Sequence, residues 1–156
     1  MAFHIVLYQP EIPGNTGNVC RTCAVTGTAL HLIKPLGFSL EDKFLKRAGL
    51  DYWDLLDVRI HECLEDFLGL YGQEPLWLVE TAGERRYDEA RYPDGSFFMF
   101  GRETAGLPKE LVRAYAGSTV RLPMRPEPKA RSLNLSNAAA IVLYEAMRQN
   151  GFPGLG

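Results

Sequence analysis

Short apolar runs rich in β-branched and aromatic residues alternate along this chain with longer stretches whose apolar positions recur at helical spacing. The runs 3–8, 29–33, 57–60, 76–79, 97–100 and 119–122 predict six strands. Between them the spacing predicts helices over 15–26, 40–48, 62–71, 108–116 and 134–149. Strand-helix alternation at this interval predicts an α/β fold with a mostly parallel sheet flanked by helices. The run Phe97-Phe98-Met99-Phe100, apolar at every position, suits a strand covered on both faces. Local signals mark the boundaries: Ser39 stands three residues before Asp42 as in a capping box, and Gly49 follows the basic pair Lys46-Arg47. Pro108 opens a helix that Gly117 is expected to end. With no repeat and no long linker, one domain spanning 1–156 is expected, and Pro123–Pro128 reads as a stiff loop within it.

The composition, 46% hydrophobic and 23% charged over 156 residues, is enough for a substantial core. No apolar run approaches the roughly 18 residues of a membrane span. Met1-Ala2-Phe3-His4 lacks the basic start of a signal peptide, so a soluble cytoplasmic protein without a membrane partner is expected. Three cysteines are an odd count that argues against a disulfide framework, and Cys20-Arg21-Thr22-Cys23 is half a zinc motif with no second half, so no metal is expected. His4, His31 and His61 stand singly in or beside strands and read as structural. A net charge of -2 does not suggest a nucleic-acid binder, yet the basic residues bunch as Lys43, Lys46 and Arg47, as Arg85, Arg86 and Arg91, and as Arg121, Arg125, Lys129 and Arg131. A local patch of this kind can grip phosphates whatever the total charge.

The last basic group flanks the most unusual stretch of the chain. Arg131-Ser132-Leu133-Asn134-Leu135-Ser136-Asn137-Ala138 sets five hydrogen-bonding side chains where a Pro-rich loop becomes an apolar helix. N-capping accounts for one or two of them, and the rest are expected to be buried with partners. Two other loops are unusual. Pro10 to Asn18 is a Gly-containing turn into a helix bearing Arg21 one turn in, a place where free N–H groups and a guanidinium would receive an anion. Gly101 to Pro108 has the glycine spacing of a phosphate-binding P-loop without the Lys and Ser or Thr that must follow, and the dinucleotide fingerprint is absent throughout. What remains is a glycine-permitted loop holding one acid, Glu103. Because ligands collect at the carboxyl ends of parallel strands, Asn15, Arg21, Glu103, Ser132 and Asn134 are expected to converge. That set contains no catalytic triad and no metal ligands, so a transfer from a reactive cosubstrate fits better than hydrolysis.

Three ordered segments, Asn15-x-Gly17-Asn18-x-x-Arg21, Phe100-Gly101-x-Glu103-x-x-Gly106-Leu107-Pro108 and Arg131-Ser132-x-Asn134-Leu135-Ser136-Asn137-Ala138, resemble the SPOUT class of RNA 2'-O-ribose methyltransferases over nearly the whole chain. Val6 to Pro13 and Arg47 to Trp53 resemble its minimal subfamily, which acts on the wobble nucleotide of tRNA. The resemblance implies S-adenosyl-L-methionine as cofactor, S-adenosyl-L-homocysteine as product, and 2'-O-methylation of cytidine or modified uridine at position 34. It also implies a deep C-terminal trefoil knot and a homodimer. By matching motif, Arg21, Asn15, Glu103, Ser132 and Asn134 take catalytic roles. The cofactor lies against the segment Val79-Glu80-Thr81, Gly101, Leu122 and Ser132, and Arg121, Arg125, Lys129 and Arg131 line the RNA path. The same resemblance has the Gly101-to-Gly106 loop keep its glycines so that the backbone can approach the adenosine. Arg21 either activates the ribose hydroxyl or, being almost always protonated, grips an RNA phosphate that takes the proton. The chain departs from the class at Arg102, where many members carry a small residue or proline, and in a slightly longer loop at Pro126 to Lys129; both bear on RNA choice. The readings left open are another tRNA or rRNA site, a non-enzymatic nucleotide or RNA-binding module, and redox chemistry at Cys20 and Cys23.

Overall fold

In the computed structural model, which describes residues 1–41 and 54–156, strand β1 (His4–Tyr8) lies inside a parallel sheet. The other strands are β2 (Ala29–Ile33), β3 (Asp57–His61), β4 (Leu76–Val79), β5 (Arg85–Arg86), β6 (Phe97–Phe100) and β7 (Thr119–Arg121). Their order is β3-β2-β1-β6-β4-β7-β5, and every pairing is parallel. The helices are α1 (Pro13–Thr26), α2 (Leu64–Tyr71), α3 (Lys109–Ala114) and α4 (Leu135–Gln149). From β1 the chain proceeds outward to β2 and β3, whereas from β6 it proceeds in the other direction to β7. Where successive connections part in opposite directions, a crevice opens at the strand ends.

Alternation of side chains across the sheet explains the fully apolar run in β6. Phe98 and Phe100 join Ile5, Leu7, Leu30 and Leu32 against the inner faces of α1 and α4, including Val19, Cys20, Val142 and Leu143. Phe97 and Met99 face the other way, with Val6, Ile33 and Leu78, against Phe67 of α2 and Leu111 of α3. Both faces of the strand are thus covered. Helix α1 begins with Pro13 in its first turn and ends at Gly27, whose left-handed φ of 69° lets its N–H reach Cys23 O.

Three expectations change. Strand β5 was not anticipated: its two residues, Arg85 and Arg86, are exposed and carry none of the apolar or β-branched character that marks a strand. Helix α3 stops at Ala114 with Tyr115 as C-cap, and a 3-10 turn over Ala116–Ser118 runs through Gly117, so Gly117 does not end the helix. Nor do the histidines stand singly. His4 Nδ1 and His31 Nε2 share a hydrogen bond of 2.9 Å, and His31 Nδ1 and His61 Nε2 another of 2.9 Å, forming a row across β1, β2 and β3. His4 lies flat on Phe97 at 3.8 Å between centroids, while Phe67 and Tyr71 meet His31 and His61 edge-on. Burial pushes His31 down to about 3 and His4 down to about 4, so the row is neutral at physiological pH. All but the first two residues of the helix expected over 40–48, with Asp42 of its capping box, the basic group Lys43, Lys46 and Arg47, Gly49, and the segment Arg47 to Trp53, lie outside the described residues. Among the described residues no helix is long and apolar enough to cross a membrane.

Candidate active site

At the crevice beyond β1 and β6 lies a cavity of about 510 Å³. Ile12 and Asn15 enter it from the loop and first turn after β1, Val79, Glu80 and Thr81 from the end of β4, and Gly101, Arg102, Glu103 and Gly106 from the loop after β6. Leu122 and Met124 follow β7, and Ser132 to Leu135 with Ala138 close the cavity from the start of α4. Val79, Phe100, Leu122, Leu133, Leu135 and Ala138 make apolar walls.

A continuous set of hydrogen bonds joins the three loops. The Glu103 carboxylate accepts the N–H of Glu11 and of Ile12, each at 3.0 Å, and the Asn15 amide donates to it at 3.3 Å. In return the Glu11 carboxylate accepts the Thr104 N–H at 3.0 Å and hydroxyl at 2.8 Å, contacts that hold its pKa below the ordinary carboxylate range. The Asn134 amide donates to Asn15 Oδ1 at 2.9 Å. Asn134 Oδ1 caps α4 by accepting from Ser136 N at 2.9 Å and Asn137 N at 3.4 Å. A negative group beside the start of α1 also meets the favourable end of the helix dipole.

Of the residues singled out from sequence, Asn15, Glu103, Ser132, Asn134, Val79, Gly101 and Leu122 all line this one cavity. Arg21 does not. Helix α1 begins at Pro13, so Arg21 stands more than two turns in rather than one, and it is exposed. It follows Asn15 and Asn18 along a ridge of third residues, roughly 9 Å further along the axis and about 120° around from Asn15. The polar stretch before α4 also differs from expectation. Only Ser136 is buried, whereas Arg131, Ser132, Asn134 and Asn137 are exposed, so a cap and one cross-loop bond organise it rather than burial of the groups beyond the cap. At Gly101 the space beside Cα is filled by the loop itself. A Cβ there would stand 2.3 Å from the carbonyl carbon of Gly106, so closure of the loop already requires this glycine.

Arg121 is turned to structural use, its guanidinium donating to the carbonyls of Gly83 at 3.0 Å and Glu84 at 3.1 Å. It nonetheless borders, with Arg125 and Arg131, a second hollow of about 530 Å³ beside the cavity, while Lys129 is exposed outside its lining. Cys20 and Cys23 are buried, and burial pushes both thiols up, Cys20 to about 11, which removes the exposed thiolate that redox chemistry would need. Among the described residues no group of three or more His, Cys, Asp or Glu side chains is arranged to hold a metal ion.

Sequence reasoning gave no individual role to two charged residues of the cavity. Glu80, named only as part of a segment, is half-buried, and desolvation raises its pKa above the ordinary range against the opposing pull of the Leu107 N–H. Arg102 sets its guanidinium 5.9 Å from the centre of the Tyr8 ring. Neither follows a spacing rule, and the contacts of each are set by where its loop lands.

The tRNA (cytidine(34)-2'-O)-methyltransferase of Methylovorus glucosotrophus is 52% identical over 153 residues, which cover 97% of this chain and 98% of that protein. A solved structure described as "Structural insights into the 2-OH methylation of C/U34 on tRNA" has a TM-score of 0.90 and 46% identity, covering 96% of this chain and 97% of that one. The SpoU methyltransferase AviRb from Streptomyces viridochromogenes, in complex with the cofactor AdoMet, has a TM-score of 0.82 and 25% identity over 96% of this chain and 60% of that one. With residues 2–144 matched by the sequence model of that family, the chain belongs to the SpoU rRNA Methylase family.

Proposed function

We propose that this chain methylates the ribose 2'-oxygen of the wobble nucleotide, position 34, of tRNA, where the base is cytidine or a modified uridine. S-adenosyl-L-methionine is the methyl donor and S-adenosyl-L-homocysteine the product. The observation that carries this reading is the single cavity on which the three motif segments meet, Asn15 from the first, Gly101 and Glu103 from the second, Ser132 and Asn134 from the third. The reading is supported by relatives of nearly equal length that carry this activity in their names.

The cavity suits the cofactor: about 510 Å³ lies within the usual range of small-molecule sites, and its apolar walls suit an adenine ring. Val79, Gly101, Leu122 and Ser132 would hold it there. The cofactor supplies a methyl group already activated on a sulfonium. This chain has then to align the ribose 2'-oxygen for displacement and give its proton a destination as the new C–O bond forms and the C–S bond breaks. Asn15, Glu103 and Asn134 act as positioning residues, because their polar atoms are engaged with one another and with the loop backbone. Arg21, outside the cavity on the ridge from Asn15, grips the RNA phosphate beside the target ribose, and an oxygen of that phosphate takes the hydroxyl proton. Arg125, Lys129 and Arg131 continue the RNA path, with Arg121 at its border.

We further read residues 1–156 as one domain with a knotted C-terminal part, working in the cytoplasm as a homodimer. The dimer follows the family resemblance, and Ile141 and Tyr144 of α4, 37% and 43% exposed, are apolar surface that a second copy could cover. The test is to incubate the protein with labelled methyl donor and tRNA from a strain lacking it, then map the labelled nucleotide. Label at position 34 is expected, and label confined to ribosomal RNA would overturn the substrate. Arg21→Ala is expected to lose methyl transfer by about 100-fold or more with its fold retained; wild-type turnover in that variant would remove Arg21 from the mechanism.

A further inference from the structure

Six side chains that line the cavity can accept a hydrogen bond: Asn15, Glu80, Thr81, Glu103, Ser132 and Asn134. Three are engaged within the protein. Glu103 receives two backbone N–H groups and the Asn15 amide, Asn15 Oδ1 receives Asn134, and Asn134 Oδ1 receives the first turn of α4. Thr81 and Ser132 are neutral hydroxyls on exposed residues. Glu80 differs from all of these. Its carboxylate is half-buried at the end of β4 and takes the Leu107 N–H, which leaves most of its roughly four lone-pair positions open. Its oxygens face the glycine side of the β6 loop, 3.7 and 3.9 Å from where a Cβ on Gly106 would stand. Gly106, at a φ of 67°, leaves that approach uncovered.

A partly desolvated carboxylate on a cavity wall is stabilised when a ligand brings donors to it, and least stable when nothing does. The proposed cofactor is rich in donors: two vicinal ribose hydroxyls, an adenine amine and an α-ammonium. Within that molecule the ribose links the base, which suits the apolar walls, to the sulfonium, which must face the RNA. Glu80 itself stands between these environments, preceded by apolar Val79 in the wall and facing the Gly101-to-Gly106 loop that also carries Arg102 and Glu103. We infer that Glu80 is a cofactor-binding residue whose carboxylate accepts hydrogen bonds from the ribose hydroxyls of the adenosyl group. This rests on the cofactor reading above.

Calorimetric titration of the full chain with two probes separates the possibilities. S-adenosyl-L-homocysteine carries both ribose and ammonium, whereas 5'-methylthioadenosine keeps the ribose and lacks the amino acid. Glu80→Ala is expected to raise Kd for both probes by roughly 10- to 100-fold, the range of a lost charge-assisted hydrogen bond. Glu80→Gln, which keeps the shape and one acceptor, should raise both by about tenfold or less while its melting temperature stays within a few degrees of the parent. Loss confined to S-adenosyl-L-homocysteine would overturn the ribose assignment in favour of the ammonium. Unchanged affinity for both probes in a folded Glu80→Ala would overturn any role for Glu80 in binding. If the parent chain itself binds neither probe, the cofactor reading fails first, and the inference with it.

Discussion

The histidine row and the cavity network are both chains of hydrogen-bonded side chains in the same sheet, yet they end differently. In the row, His31 uses both ring nitrogens on its neighbours and is sealed by Phe67, Tyr71 and Phe97, with no surface exposed. In the cavity, Glu11, Glu103, Asn15 and Asn134, with Thr104, are bonded across three loops, but the set opens onto a hollow that Glu80 and Arg102 also line. The row consolidates three strands by excluding charge. The network consolidates three loops while leaving polar groups for a visitor. Buried polar chains thus serve stability or binding according to whether the last member finds its partner inside the protein.

The contrast is most severely tested at Gly101. A side chain there must displace the backbone of Gly106 and Leu107, so Gly101→Ala is expected to lower stability by about 3 kcal/mol and to weaken cofactor binding, read by denaturant titration and calorimetry. A variant of normal stability would mean that the loop relaxes freely.

Acidification should next find the row and spare the network. His31 and His4 are held at about 3 and about 4, below the ordinary value of 6.5, so the folded form refuses protons that the unfolded chain accepts. Stability is therefore full above pH 6.5 and falls as pH drops from there toward 4, by about 2 kcal/mol near pH 5 for the fully buried His31 alone. The depressed carboxylates Glu11, Asp57 and Glu145 begin to destabilise as pH falls through their ordinary values of 4.5, 3.8 and 4.5, below the pH at which most of the histidine effect has already developed. Glu80, raised by burial, works in the opposite sense and offsets a small part of the loss. A urea midpoint that is level between about pH 7 and pH 5 would show that the row does not exclude protons.

The smallest effect separates members of the network from exposed neighbours. Asn134→Ala removes both the cap of α4 and the bond to Asn15, and about 1–2 kcal/mol is expected in thermal denaturation. Arg131→Ala, three residues earlier and exposed, should change stability by less than about 0.5 kcal/mol. Equal losses from the two would argue that the cap is incidental.

Much of the architecture was legible from local pattern. The runs 29–33, 76–79 and 97–100 match β2, β4 and β6 end for end, because β-branched and aromatic residues bounded by turn signals carry a strand's identity in a few positions. The start of α4 was equally legible, since an asparagine before an apolar periodic stretch is a capping signal on its own. Strand β5 was not legible, because two exposed arginines pair with β7 only after the intervening loop brings them there. The histidine row was hidden for a related reason: its members are separated by 27 and 30 positions and meet through strand register, which no single segment encodes.

The same division runs through the candidate site. Residue order alone was enough to nominate Asn15, Glu103, Ser132 and Asn134, because three motifs of specific composition sit at predicted strand ends and a helix start. It also placed Arg21 on the right helix. Only folding separates Arg21 from the cavity, assigns Gly101 to loop closure, turns Arg121 back onto Gly83 and Glu84, and exposes Glu80 to the hollow. The physical reason is range. Capping, turn formation and alternation act over a few residues and leave their mark in local sequence, whereas burial, desolvation and hydrogen bonds across loops depend on atoms up to 119 residues apart, as in the bond from Asn134 to Asn15.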